Sequence, residues 1–127
     1  MYAYIVLRLL VGVRTEEARA LGWDHVDLNG DPSASPSVPP HVAVRRSVRV
    51  HGETKTERSR RTLGLPHAAA EALRALQETE AHDRLEAGET WQDTGLVFTT
   101  HLGTALDAAN VRKMFKRVCE AAGIGDG

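Results

Sequence analysis

Apolar and polar positions recur along this chain at two periods, and the switches between them mark out its elements. From Tyr2 to Val11 apolar residues are too dense for a surface helix, so the segment reads as a buried helix interrupted at Gly12. Thr15 predicts the N-cap of a second, short helix whose first turn carries Glu16 and Glu17, acidic residues that favour the positive end of a helix dipole. Trp23 to Leu28 predicts a short strand closed by a turn at Asn29-Gly30. Val42, Val44, Val48 and Val50 then take every second place, the pattern of a half-buried strand, with Arg46 intruding on the apolar face. His51-Gly52-Glu53 begins a turn, and Arg60 to Leu65 reads as the returning strand, with Leu63 and Leu65 inward and Arg60 and Thr62 outward. The result is an antiparallel hairpin with Lys55 near its tip.

Beyond the hairpin the period lengthens. Pro66 suits the first turn of a helix, and Ala69, Leu73, Leu76 and Leu85 supply its apolar stripe. Gly95 to Thr99 predicts a further short strand. Asp107 predicts the cap of a last helix, with Val111, Met114, Phe115, Val118 and Ala122 on one side, Arg112, Lys113, Lys116 and Arg117 on the other, and Gly123 as its stop. Asp31 to Pro40 holds four of the five prolines and reads as an irregular loop without chemistry of its own. The expected fold class is α+β, helices packed with a small three-stranded antiparallel sheet, in one domain over residues 1–127.

Composition narrows the function classes. A chain of 127 residues is long enough to bury roughly two thirds of its unfolded surface around one core. Cys119 is the only cysteine, which rules out an internal disulfide and suits a reducing compartment. No apolar run is long enough to span a hydrocarbon layer of about 30 Å, and no cleavable leader pattern is present; the expectation is a cytoplasmic protein. Net charge is only −1, but it is unevenly spread. Residues 45–61 set seven cations, Arg45, Arg46, Arg49, Lys55, Arg58, Arg60 and Arg61, against Glu53 and Glu57, whereas residues 78–93 set six carboxylates against Arg84. Such polarity steers a polyanion to one face, although two ordinary solvated segments account for it equally well.

Arg14 holds the most unusual position, at the break between the two N-terminal helical patterns. Its rigid fork of donors matches two oxygens of a phosphate and stays charged at any physiological pH. A helix N-terminus beside it would also favour an anion. The competing reading is that Arg14 pairs with Glu17, one turn on, and braces the junction. Lys55, between Thr54 and Thr56, has the reach and the titratable ammonium of a general acid, but a solvated turn lysine fits the same spacing. Arg45, Arg49, Arg58, Arg60 and Arg61 suit contacts to a nucleic-acid backbone, which need only charge and reach. The six histidines show no metal-ligand spacing, and the Gly-x-Gly at 123–125 ends a helix instead of opening one. Neither a metal nor a small-molecule cofactor is expected.

The ordered set Gly12-Val13-Arg14-x-x-Glu17-x-x-x-Leu21, Trp23-Asp24-His25-Val26-Asp27, Thr54-Lys55-Thr56, Ser59-Arg60-Arg61-Thr62-Leu63 before Leu65-Pro66, Leu96-Val97-Phe98 and Ala121-Ala122-Gly123-Ile124 resembles the catalytic domain of the tyrosine recombinases, the phage integrase family. The resemblance implies double-stranded DNA as partner, four protomers acting on two duplexes, and strand cleavage without a high-energy cofactor. In that chemistry a tyrosine attacks the scissile phosphate to form a 3′-phosphotyrosyl link, and arginines stabilise the charge that develops on its oxygens. By match, Arg14 is the first catalytic arginine, Glu17 the acidic residue that supports it, and Lys55 the hairpin lysine that protonates the leaving 5′ oxygen.

The departures are equally specific. No histidine has an arginine three places later, and the only tyrosines, Tyr2 and Tyr4, stand at the wrong end of the chain. The expectation is a truncated catalytic domain, its N-terminal part, which lacks the His-x-x-Arg box and the nucleophile and is inactive alone. A non-catalytic DNA-binding module and a protein-interaction module are the alternatives.

Overall fold

The computed structural model describes residues 2–49 and 56–123, and of these it describes 45–49 and 56–60 by their backbone alone. Helix α1 (Tyr2–Val6) runs directly into a π-helical turn, Leu7–Val11, that ends at Gly12. Helix α2 (Thr15–Ala20) follows, then a 3₁₀ turn at Trp23–His25 and the two-residue strand β1 (Val26–Asp27). Strands β2 (His41–Arg49) and β3 (Thr56–Gly64) form the hairpin, and helices α3 (His67–Ala87) and α4 (Ala108–Ala121) complete the order. The sheet is antiparallel throughout, in the order β1-β2-β3. This is the α+β arrangement expected, with three strands.

Side-chain alternation explains how the sheet meets the helices. Val42 and Val44 of β2 are fully buried, and the register sets them opposite Leu63 and Arg61 of β3. The period-two pattern therefore buries Val42 and Val44, and it puts Arg61 on the face that carries Leu63. The core joins this face to Ala3, Tyr4, Val6 and Leu7 of the first helix, Val13, Ala18 and Leu21 around α2, Ala69 to Leu73 of α3, and Val97, Phe98 and Val111. Tyr4 sits at its centre. Its ring meets Phe98 and Phe115 edge to face, each at 5.8 Å, and its hydroxyl shares a hydrogen bond of 2.7 Å with Thr15 Oγ1.

Several local expectations are corrected. The N-terminal helix is half-buried, since Tyr2, Leu9 and Leu10 face outward. Thr15 is not the N-cap of α2; Arg14 takes that position, and the Thr15 hydroxyl is held by Tyr4. Trp23 to His25 coils into a 3₁₀ turn, leaving only Val26 and Asp27 to pair with β2. Gly95 to Thr99 forms single bridges, Gly22 with Leu96 and Thr99 with Ala105, instead of a strand. Leu85 lies outside the stripe of α3, because the buried residues of that helix end at Leu73 and Leu76 is the last to pack against the core. Met114 and Val118 of α4 are likewise exposed, while Val111 and Cys119 are buried. Asp107 caps α4 as expected, its Oδ1 accepting from Asn110 N–H at 3.0 Å.

The proline-rich loop is more ordered than its composition suggests. Asp27 Oδ1 accepts the N–H groups of Asn29 and Gly30, and Asp31 and Val38 exchange backbone hydrogen bonds across the loop. Gly30 is needed there: its φ is +64°, and a Cβ would stand 2.2 Å from the Val38 carbonyl oxygen. No helix among the described residues is long and apolar enough to cross a membrane.

Candidate nucleic-acid interface

Local backbone geometry fixes Arg14. The π-helical turn stops at Gly12, which adopts φ +83° and returns its N–H to Leu7 O at 2.9 Å. Val13 is fully buried and pins the chain after this reversal. Arg14 is then extended, at φ −83° and ψ 158°, and its carbonyl accepts the Ala18 N–H to start α2. An arginine side chain has no acceptor, so it cannot cap the helix itself. Glu17 supplies the cap from inside, Oε1 accepting the Arg14 backbone N–H at 3.0 Å.

Glu17 is the one buried charged residue among those described, only 2% exposed. Its ion-pair partner is Arg61, whose Nη2 donates to the same Oε1 at 2.7 Å. The brace between Arg14 and Glu17 that the spacing suggested is thus made by the backbone of residue 14, and the guanidinium that neutralises the carboxylate comes from β3. The Arg14 side chain is exposed, and it makes no hydrogen bond or ion pair among the described residues. Two buried atoms of this pair, Glu17 Oε2 and Arg61 Nε, have no partner among those residues either.

Further cations surround α2. Glu16 pairs with Arg19 at 3.3 Å and with Arg112 of α4 at 3.4 Å, and Arg19 Nε donates to Leu106 O at 2.8 Å. Arg8 lies over the Phe115 ring at 5.0 Å, and with Thr15, Arg112 and Lys116 it lines a pocket of about 250 Å³. Helix α2 is therefore tied to α4 on one side and to the hairpin on the other. Lys55 lies outside the described residues, and so do the side chains of Arg45, Arg46, Arg49, Arg58 and Arg60. The backbone register does set Arg45 opposite Arg60 and Ser47 opposite Arg58 along the hairpin that carries them. Among the described residues no group of three or more His, Cys, Asp or Glu side chains is placed to hold a metal ion.

Sequence reasoning missed the role of Arg61. The signal was present, since Arg61 shares its parity with Leu63 and Leu65, the two residues assigned to the inward face.

An integrase from Streptomyces ambofaciens is 52% identical over 122 residues, 96% of this chain and 31% of that protein. This chain is therefore similar to part of an integrase, as the resemblance to the tyrosine recombinases implied. A XerC-like tyrosine recombinase from Caldanaerobacter subterraneus subsp. tengcongensis is 26% identical over 131 residues, 96% of this chain and 34% of its own length. The crystal structure of XerA recombinase superposes with a TM-score of 0.65 at 19% identity, covering 98% of this chain and 36% of XerA; at that identity the likeness is one of fold. No protein-family model matches. The chain spans about a third of the length of the curated relatives it matches.

Proposed function

We propose that this chain supplies the first phosphate-gripping arginine and the basic hairpin of a tyrosine recombinase that acts on double-stranded DNA in site-specific recombination. The observation that carries the reading is the state of Arg14. It is exposed at the entrance to α2, while the acidic residue beside it is buried and already neutralised by Arg61. A guanidinium so placed is available to two phosphate oxygens. In this reading Glu17 supports Arg14 through its backbone, Lys55 protonates the leaving 5′ oxygen, and Arg45, Arg49, Arg58 and Arg60 follow the DNA backbone. Arg61, first grouped with those clamps, has its guanidinium on Glu17.

Residues 1–127 act as part of a catalytic domain in the cytoplasm, and four protomers assemble on two duplexes. A recombinase site works as a unit, so without the His-x-x-Arg box and the nucleophile the covalent step is not available to this chain by itself. A gel-shift titration of the purified chain on duplex DNA, repeated across salt concentrations, tests the reading. The expected result is binding whose log-log salt slope loses about 0.9 in magnitude in Arg14→Ala. Absence of binding at low salt, or binding indifferent to salt, refutes it.

A further inference from the structure

The geometry points to Arg61 as a positioning residue: by holding Glu17, it keeps that carboxylate from capturing the Arg14 guanidinium. This rests on the reading of Arg14 given above. Glu17 is the third residue of α2, and its side chain reaches back to the Arg14 N-cap. Its Oε1 already lies 3.0 Å from the Arg14 backbone nitrogen. A buried carboxylate stripped of its counter-ion is strongly unfavourable and recruits a cation within reach. Arg61 forestalls this with its contact of 2.7 Å.

The direction of approach makes the arrangement work. Arg61 stands opposite the buried Val44, on the face it shares with Leu63, so its guanidinium reaches Glu17 from the hairpin side. Its Nε is buried, without a partner among the described residues. A residue that tracks a DNA backbone turns its donors to solvent; Arg61 turns part of its fork inward. The two arginines near Glu17 therefore divide the work, one spent on the carboxylate and one left at the rim.

The test uses the purified chain, a labelled duplex read by fluorescence anisotropy over a range of salt, and the variants R14A, R61M, R14A/R61M and E17Q/R61M. In the double variant E17Q/R61M the amide carbonyl still accepts the Arg14 backbone N–H, but no charge remains to capture the side chain. The expected results are a salt slope reduced by about 0.9 in R14A, a similar loss in R61M, no further loss in R14A/R61M, and a wild-type slope in E17Q/R61M. A slope that stays reduced in E17Q/R61M shows Arg61 to be a phosphate contact and overturns the proposal. If R61M does not fold, E17Q/R61M decides alone by the same criterion. Phenylglyoxal labelling read by peptide mass spectrometry gives a second readout free of DNA. Arg14 should be reactive in the wild type and in E17Q/R61M but protected in R61M, and equal reactivity in all three overturns the proposal. If labelling follows that order while R14A leaves DNA binding unchanged, the positioning role stands and the DNA reading of Arg14 falls.

Discussion

Tyr4 offers the most direct test of how the N-terminal helix is held against α2 and α4. Replacing it with phenylalanine removes one hydrogen bond, the 2.7 Å contact to Thr15 Oγ1, and leaves the ring in place. A net hydrogen bond contributes about 0.5–1.5 kcal/mol. Thr15 is only half-buried, so water can replace the lost partner and the cost should fall in the lower half of that range. Leucine at the same position also removes two edge-to-face pairs, with Phe98 and Phe115, each contributing roughly 0.5–1.5 kcal/mol. Tyr4→Leu should therefore destabilise by about 1.5–4 kcal/mol and Tyr4→Phe by less than about 1 kcal/mol. Urea unfolding of the wild type, Y4F, T15A and Y4F/T15A gives the coupling between the two hydroxyl groups. Because each single change already breaks the shared bond, the double should cost less than the sum of the singles. Additive costs, or Y4F and Y4L equal within error, would refute the placing of Tyr4 at the junction.

The remaining predictions concern the loop, the sheet and the chemistry. Gly30→Ala forces a Cβ against the Val38 carbonyl at φ +64° and should lower stability by about 1–3 kcal/mol in the same unfolding assay, whereas Gly64→Ala, with open space around it, should stay within about 0.5 kcal/mol. The N–H groups of Gly30 and Asn29, in that order, hold the Asp27 carboxyl below its ordinary value of 3.8. A depressed carboxyl contributes stability above its unfolded value that is lost as pH falls through the folded one, so the Asn29 and Gly30 amide shifts should titrate with a midpoint under 3.8; a midpoint at or above it would contradict the turn. Incubated with a nicked suicide duplex, the chain should form no covalent adduct, and a denaturant-resistant band carrying Tyr2 or Tyr4 would overturn the assignment of both tyrosines to non-catalytic positions.

Much of the fold could be read from spacing where one period dominated. The burial of Val42 and Val44 in β2 and the Asp107 cap of α4 needed only local rules, and both are found as those rules require. Spacing failed where a tertiary partner chose between local options. Thr15 has the chemistry of an N-cap, but the Tyr4 hydroxyl claims it, and the buried carboxylate of Glu17 makes the cap instead. Leu85 continues an apolar stripe on a helical wheel, yet it lies three turns beyond Leu73, the last fully buried residue of α3, and is left exposed. At the candidate site Arg14 and Glu17 were legible because their spacing is local. The partner of Glu17 was not, since 44 residues separate it from Arg61 and only the sheet register brings the two together.

That separation has a kinetic consequence. The Glu17 to Arg61 contact closes a long loop of chain, and the entropy of loop closure must be overcome before it forms. It needs the hairpin already in register and α2 already seated, so it belongs after the rate-limiting step of folding. In a chevron plot, breaking it should then steepen escape from the native state, raising the unfolding rate while the folding limb stays where it is. The residue pair would set how long the folded chain persists more than how quickly it is reached.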